Sequence, residues 1–325
     1  MKRAIVNIMS ATSVLLITIG TAMAQGDYPN RPVRIVVAWP PGSGIDVLVR
    51  KMTDQLREEL GQAMVVDNKG GAAGVIGAEI AALAPPDGYT LLFTSAALNM
   101  VAAMGTKTSY KVPDSFTPVA NVIFAPMILV IHPSINVKTP RELIALAKSK
   151  PGQMVYASAG YGSPSHFITE LFRARTGIDA TGVQYRGSPQ AMIDLMAGRV
   201  AFYFSPTSTA LPQMQAGKVK GIAVGSEKRL TQAPEMPTMA EVGHKDIRAS
   251  YWDGLLGPKG LPLPIANRVA TAVNRVLARP DVVKSMEPLA NELDGKSTPQ
   301  SFAVLLKEDL ETWTAVAKEA NIKPN

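Results

Sequence analysis

Apolar positions along this chain follow two rhythms. Short unbroken apolar runs alternate with stretches where apolar residues recur every three or four positions. The first kind reads as buried strand, the second as amphipathic helix. Val33 to Trp39 is the first predicted strand. A helix from Gly44 to Leu60 follows, with the stripe Val49, Met52, Leu56 and Leu60 and with Gly61 in the place of a glycine cap. Met64 to Asp67 is a second strand. A glycine-rich stretch from Asn68 to Ala78 then enters a second helix, which Pro85-Pro86-Asp87-Gly88 stops. Tyr89 to Thr94 is the third strand. Strand, helix, strand, helix, strand is the order of a parallel α/β sheet.

The second half repeats the pattern. Val119 to Val130 is a long apolar stretch interrupted by Pro126, which fits either a strand crossing between two lobes or a kinked core strand. Thr139-Pro140-Arg141-Glu142 joins a capping Thr, a first-turn Pro and an acid at the third position, so it opens a helix over 142–148. Val155-Tyr156-Ala157 is a strand, Ser158 to Ser163 its turn, and a helix through Phe167 and Leu171 follows. Val183 to Tyr185, Val200 to Phe204, Val219 to Val224 and Trp252 to Leu256 are further strands, and Arg186-Gly187-Ser188-Pro189 opens a helix. Two helices close the chain. The last is capped by Thr298 and carries the stripe Phe302, Leu305, Leu306, Leu310, Trp313, Val316 and Ala320, which reads as core. Two α/β units joined by crossing strands, with the terminal helices returning to the first unit, predict a two-lobed binding fold.

Ligands of parallel sheets sit beyond the carboxyl ends of the strands. The turns at those ends are rich in glycine and serine here. Trp39-Pro40-Pro41-Gly42-Ser43-Gly44-Ile45-Asp46 runs from strand to helix, and Ser158-Ala159-Gly160-Tyr161-Gly162-Ser163 does the same in the second half. Free N–H groups and the helix dipole make such a turn an anion site. Asp46 has two readings, a charge in the site or an acceptor that holds the loop, and the second is favoured. Tyr156, Tyr161, Tyr185 and Tyr203 lie near strand ends or turns, and no more than one or two of them are expected to touch a ligand.

Composition narrows the chemistry. The 325 residues are 46% hydrophobic and 18% charged, enough for two globular domains. The formal charge is +7, but basic residues are interspersed with acidic ones, which argues against nucleic acid as a partner and weakly for anionic small molecules. The absence of cysteine excludes disulfides, thiolate catalysis and Cys-ligated metals. Only three histidines exist, His132, His166 and His244. There is no Gly-x-Ser-x-Gly elbow, so Ser163 near His166 reads as a helix cap rather than a hydrolytic pair. His166 and Glu170 share a helix face without further ligands, so no metal site is expected. Gly70 to Gly74 lacks dinucleotide-binding spacing, a close helix–sheet contact accounts for its glycines, and no cofactor is expected. Lys2-Arg3, the apolar run around Val14 to Ile19 and Ala22-Met23-Ala24 form a secretory signal over residues 1–24. The mature chain from Gln25 is then expected to be exported, soluble, monomeric and without a membrane span.

Over nearly all of that mature chain the sequence resembles the Bug family, the periplasmic solute receptors of tripartite tricarboxylate transporters. The resemblance rests on Tyr28-Pro29-Asn30-Arg31-Pro32, the Pro-Pro-Gly turn with Asp46, Asp67-Asn68 with Gly71 to Ala78, and Pro86 to Leu91. It continues through Tyr156 to Ser163 with His166, Tyr185-Arg186-Gly187-Ser188, Ala216-Gly217-Lys218 and Pro237 to Gly243. It implies a periplasmic-binding-protein fold: two lobes, each a mainly parallel sheet flanked by helices, with a cleft and a hinge between them. One lobe would take residues 25–124 and 249–325 and the other 125–248, the second boundary falling between about 225 and 250. It implies a carboxylate ligand held by N–H groups, hydroxyls and water, and delivery to a two-subunit membrane permease. The expected ligand-binding residues are Pro41, Gly42, Ser43, Gly44, Asp46, Ser95, Ala96, Ser158, Ala159, Gly160, Gly162, Ser163, His166, Tyr185 and Ser205; none is catalytic. The sequence departs from the family at Ser43 and Gly70, where a glycine and a proline are usual, and at Ser205, where an acid is frequent. Ser43 and Ser205 point to a neutral, hydroxyl-rich pocket for a mono- or dicarboxylate. A ligand-sensing role beside a signalling partner, and an esterase or amidase, are the alternatives.

Overall fold

The computed structural model describes residues 28–247 and 249–324, so the expected export signal lies outside the described residues. In chain order the elements are β1 (Val33–Val37), α1 (Gly44–Arg50), α2 (Thr53–Leu60), β2 (Met64–Asn68), α3 (Val75–Ala82), β3 (Thr90–Ser95), α4 (Ala97–Ala103) and β4 (Phe116–Ile131). There follow α5 (Pro140–Ser149), β5 (Met154–Ser158), α6 (Pro164–Thr176), β6 (Ala180–Gln184), α7 (Ser188–Met196), β7 (Phe202–Pro206), α8 (Thr207–Gln215) and β8 (Lys220–Val224). The chain closes with β9 (Ser250–Pro258), α9 (Leu263–Leu277), α10 (Pro280–Met286), β10 (Glu292–Leu293) and α11 (Pro299–Glu319).

The strands form one curled sheet in the order β2-β1-β3-β9-β4-β7-β5-β6, with β8 and β10 both paired to β4. Each lobe is built on a parallel set: β1 pairs parallel to β2 and β3, and β5 pairs parallel to β6 and β7. Between these sets the pairing turns antiparallel, because β4 and β9 run between the lobes. β4 is a single strand through Pro126. Up to Pro126 it pairs with β9, and from Met127 it pairs with β7 and β8. Proline sits where the strand changes partners, the position at which a missing N–H costs the ladder least.

Three local differences from the sequence reading have physical causes. The predicted helix over 44–60 is two helices, because Met52 N–H bonds Val49 O at 2.9 Å and the Thr53 hydroxyl takes up the Arg50 carbonyl. Its stripe is buried all the same. Helix α4 is almost wholly buried, so it carries no polar face from which a period could be read. Three helices, not two, follow β9. A side chain at Gly74 would meet Ala38 Cβ, just after β1, at 3.3 Å and one at Gly77 would meet Ala38 Cα at 2.9 Å, a close helix–sheet contact, whereas Gly70 packs on Pro40 and Gly71 on Ile76.

The larger core fills both faces of the β1 lobe and continues under β5 and β7, with Phe93, Phe167, Phe172, Phe202, Trp252 and Phe302 buried. Each such side chain contributes on the order of 1.5–3 kcal/mol by leaving water. A smaller core lies between β7 and helices α7 and α8, around Met192, Leu195, Tyr203 and Leu211. Among the described residues no helix is long and apolar enough to cross a membrane.

Candidate functional site

The turn after β1 is built around Asp46. Its Oδ2 accepts the Gly42 N–H at 2.9 Å, and its Oδ1 accepts Arg50 Nε and Asn68 Nδ2, both at 2.9 Å. Asn68 Nδ2 also reaches the Trp39 carbonyl at 3.1 Å, which fastens the strand end to the turn. Gly42 takes φ +78°, where glycine carries no penalty. Ser43 is the N-cap of α1: its hydroxyl donates to Pro40 O at 2.7 Å and accepts Asp46 N–H at 3.4 Å. The Ser43 hydroxyl is therefore engaged within the turn. The N–H groups of Gly44 and Ile45, in the first positions of α1, have no intrahelical acceptor.

The turn after β5 has the same path but different supports. Ala159 N–H donates to Ser165 Oγ at 2.8 Å and Gly160 N–H to Ser158 Oγ at 3.1 Å. Ser158 Oγ also bonds Gln184. Ser163 caps α6 by accepting His166 N–H at 3.3 Å, and its hydroxyl lies 3.0 Å from Ser165 Oγ. His166 Nδ1 accepts Gly162 N–H at 3.3 Å, which leaves the ring proton on Nε2. Burial lowers the His166 pKa to about 4, and the neighbouring Arg173 works in the same direction against Glu170. The ring is thus a neutral acceptor at pH 7, engaged with backbone and not with a hydroxyl nucleophile.

Between the turns lies a cavity lined by Trp39, Ser43, Gly44, Ile45, Ser95, Met127, Ala159, Pro164, Ser165, Ser188, Pro206, Tyr251 and Asp253. Its walls touch around the rim. A side chain at Gly44 would meet Ser208 Oγ at 2.4 Å, one at Gly187 would meet Pro40 Cγ at 3.4 Å, and one at Gly162 would meet Val101 Cγ2 at 2.7 Å. The lobes are therefore closed on each other. Serines supply most of the polar wall, and Asp253 is the one carboxyl among its described lining residues.

Of the residues singled out from sequence, Ser43, Gly44, Ser95 and Ala159 line this cavity. Pro41 and Gly42 lie in the first turn, and Ala96 continues from Ser95 with its N–H on Trp252 O at 3.0 Å. Ser158, Gly160, Gly162 and Ser163 shape the second turn, with His166 at its back. Asp46 supports its turn from behind. Tyr185 directs its hydroxyl to Asp194 at 2.7 Å, and Ser205 is fully buried next to the lining residue Pro206. Sequence reasoning missed Ser165, Ser188, Tyr251 and Asp253 as lining residues. Ser188 stands within one of the motifs quoted for the resemblance, and Ser165 lies between Ser163 and His166, two residues quoted for it. Asp253 had one signal: a lone acid inside an apolar strand.

The comparisons with known proteins agree with this architecture. The family model described as "Tripartite tricarboxylate transporter family receptor" matches residues 48–322. The chain belongs to that family, which includes the Bug proteins. A TctC/Bug receptor is a periplasmic solute-binding protein. Protein BugT of Bordetella pertussis is 32% identical over 320 residues, covering 97% of this chain and 98% of BugT. Among solved structures, R. palustris Rpa4515 with adipate aligns at TM-score 0.86 and 30% identity, covering 92% of this chain and all of that one. MatC from Rhodopseudomonas palustris with bound malate aligns at TM-score 0.83 and 30% identity, covering 89% and 99%.

Proposed function

We propose that this TctC/Bug receptor captures an organic carboxylate in the closed cavity and hands it to a two-subunit membrane permease, without chemical conversion. The observation that carries the reading is the cavity itself: two strand-to-helix turns face each other across it, its polar wall is hydroxyl and N–H apart from the one carboxyl of Asp253, and both turns are braced from behind. Such a wall solvates an anion by preorganised dipoles, without a guanidinium clamp. The adipate and malate seen in Rpa4515 and MatC support a mono- or dicarboxylate of similar size. In this reading the contacts come from the Gly42–Gly44 turn and Ser95 on one lobe and from Ala159, Ser165 and Ser188 on the other. Residues 25–124 and 249–325 form the first lobe, residues 125–248 the second, and residues 1–24 are removed on export. Ligand bridges the lobes only when they close, so it shifts the open–closed equilibrium toward the closed state.

The test is a thermal-shift panel of succinate, adipate, malate, citrate, terephthalate, benzoate and nicotinate on protein unfolded and refolded to strip retained ligand. A true ligand at about 100 times its Kd stabilises by roughly 2.7 kcal/mol. X-ray scattering with that compound should report compaction. A panel without any shift overturns the carboxylate reading.

A further inference from the structure

Asp253 is placed where a charge has no support. It sits in β9 between β3 and β4, opposite Ser95 on one side and Ile123 on the other. Alternation along the strand sends Tyr251 and Asp253 to the cavity, while Trp252 points to the opposite face and donates to Asp309 at 2.8 Å. Asp253 is buried, and its Oδ1 has no hydrogen-bond partner among the described residues. The elements around the cavity offer it no cation. From β3 comes Ser95, from β4 Met127, from the first turn Ser43 and Ile45, from α6 Ser165, from α7 Ser188, and from the end of β7 Pro206. The other titratable groups nearby are Tyr251 and Tyr203, both held neutral by burial, Tyr203 with its pKa pushed up to about 12. Asp46 is occupied with Arg50 and Asn68 behind its turn, His166 lies behind the other, and Asp309 is on the far face of β9.

A buried carboxylate without a counter-ion is costly, and an anionic ligand brought beside it makes matters worse. A buried carboxylic acid has the reverse character: it offers an O–H, and O–H to carboxylate hydrogen bonds are short and strong in a dry site. Burial alone already drives the Asp253 pKa well above the usual carboxylate range. We propose that Asp253 meets the captured carboxylate as a carboxylic acid, donating its hydrogen to a ligand oxygen, so that each capture event takes up one proton from solvent. In the open, hydrated cleft Asp253 is an ionised carboxylate. Closure removes its water, the proton comes from bulk solvent, and the ligand keeps its own charge. The proposal rests on the carboxylate reading above and gives that reading a residue that senses the ligand's charge.

Adipate, malate, terephthalate and nicotinate are titrated calorimetrically at pH 7 in buffers of different ionisation enthalpy. The expected slope is close to one proton taken up per molecule bound, with affinity falling about tenfold per pH unit between pH 6 and 8. Asp253→Asn, which keeps a donor and cannot ionise, is expected to bind without taking up a proton and to lose the pH dependence of affinity, whatever its affinity at pH 7. The wild-type slope needs no variant to fold. Binding without proton uptake overturns the proposal and leaves the carboxylate reading standing. Tighter binding of aspartate or glutamate, without proton uptake and lost in Asp253→Asn, makes Asp253 an ionised acceptor for an ammonium group and overturns it too. The absence of binding by all four acids overturns the underlying reading, and the proposal with it.

Discussion

The two turns that face each other across the cleft have nearly the same backbone course and opposite electrostatics. The first is held by a carboxylate, Asp46, satisfied by a backbone N–H, a guanidinium and an amide. The second is held by hydroxyls and a neutral imidazole, Ser158, Ser163, Ser165 and His166. In neither turn does the bracing group present a net charge to the cavity. The fold thus separates the supports from the cavity wall: titratable groups set the loop shapes from behind, and the two turns present neutral dipoles to the cavity. It also follows that the two halves of the cleft should fail under different stresses.

The largest expected effect is on the first turn. Asp46→Ala leaves the Gly42 N–H, Arg50 and Asn68 without their acceptor and should cost about 3 kcal/mol, read as a lower urea midpoint at unchanged m. The second turn should fail in acid. The His166 pKa is 6.5 when unfolded and about 4 when folded, so its contribution is complete above pH 6.5 and is lost as pH falls toward 4. The loss reaches about 3 kcal/mol at most. His166→Gln keeps an acceptor for Gly162 and should flatten the acid limb relative to wild type; an unchanged limb removes His166 from this role. The third effect is on affinity. Gly44→Val places branched carbon against Ser208 at the point where the lobes meet and should weaken capture about tenfold or more, with thermal stability little changed. Gly44→Ala should do less, since only the Ser208 hydroxyl must rotate. The smallest effect is at Ser43. Glycine is itself a tolerated N-cap, so Ser43→Gly should cost a few tenths of a kcal/mol and leave selectivity intact. A change of selectivity would mean that the hydroxyl leaves Pro40 for the ligand.

Much of this arrangement was legible in the sequence because it is local. The strand-to-helix turns announce themselves by glycine, serine and proline at fixed offsets, and Ser163, Thr139 and Thr298 cap the helices they were expected to cap. What was not legible depends on distant contacts. Helix α4 carries no polar stripe because it is covered on nearly all sides. The break between α1 and α2 turns on one hydroxyl, that of Thr53. The lining role of Asp253 arises because β9 runs between β3 and β4 and meets Ser95 in register, a pairing over more than 150 residues of chain that no short window contains. Ser165 and Ser188, at the starts of α6 and α7, come to line one cavity only in the folded chain.

Three passes of the chain cross at Met127. Its N–H bonds Ala249 O at 2.8 Å and its carbonyl accepts Gly225 N–H at 2.9 Å, while a side chain at Gly225 would collide with Ala249. In the closure proposed above, a joint packed this tightly would act as an axle about which the lobes rotate. In such a rotation displacement grows with distance from that line, so contacts such as Gly44 with Ser208 would be made and broken, whereas Met127, which also lines the cavity, would scarcely move. A ligand group resting on Met127 therefore gains the same contact in both positions and cannot drive the swing. The work of closing falls to whatever the ligand touches near the rim, and lever arm, rather than contact strength alone, decides which ligand atoms count.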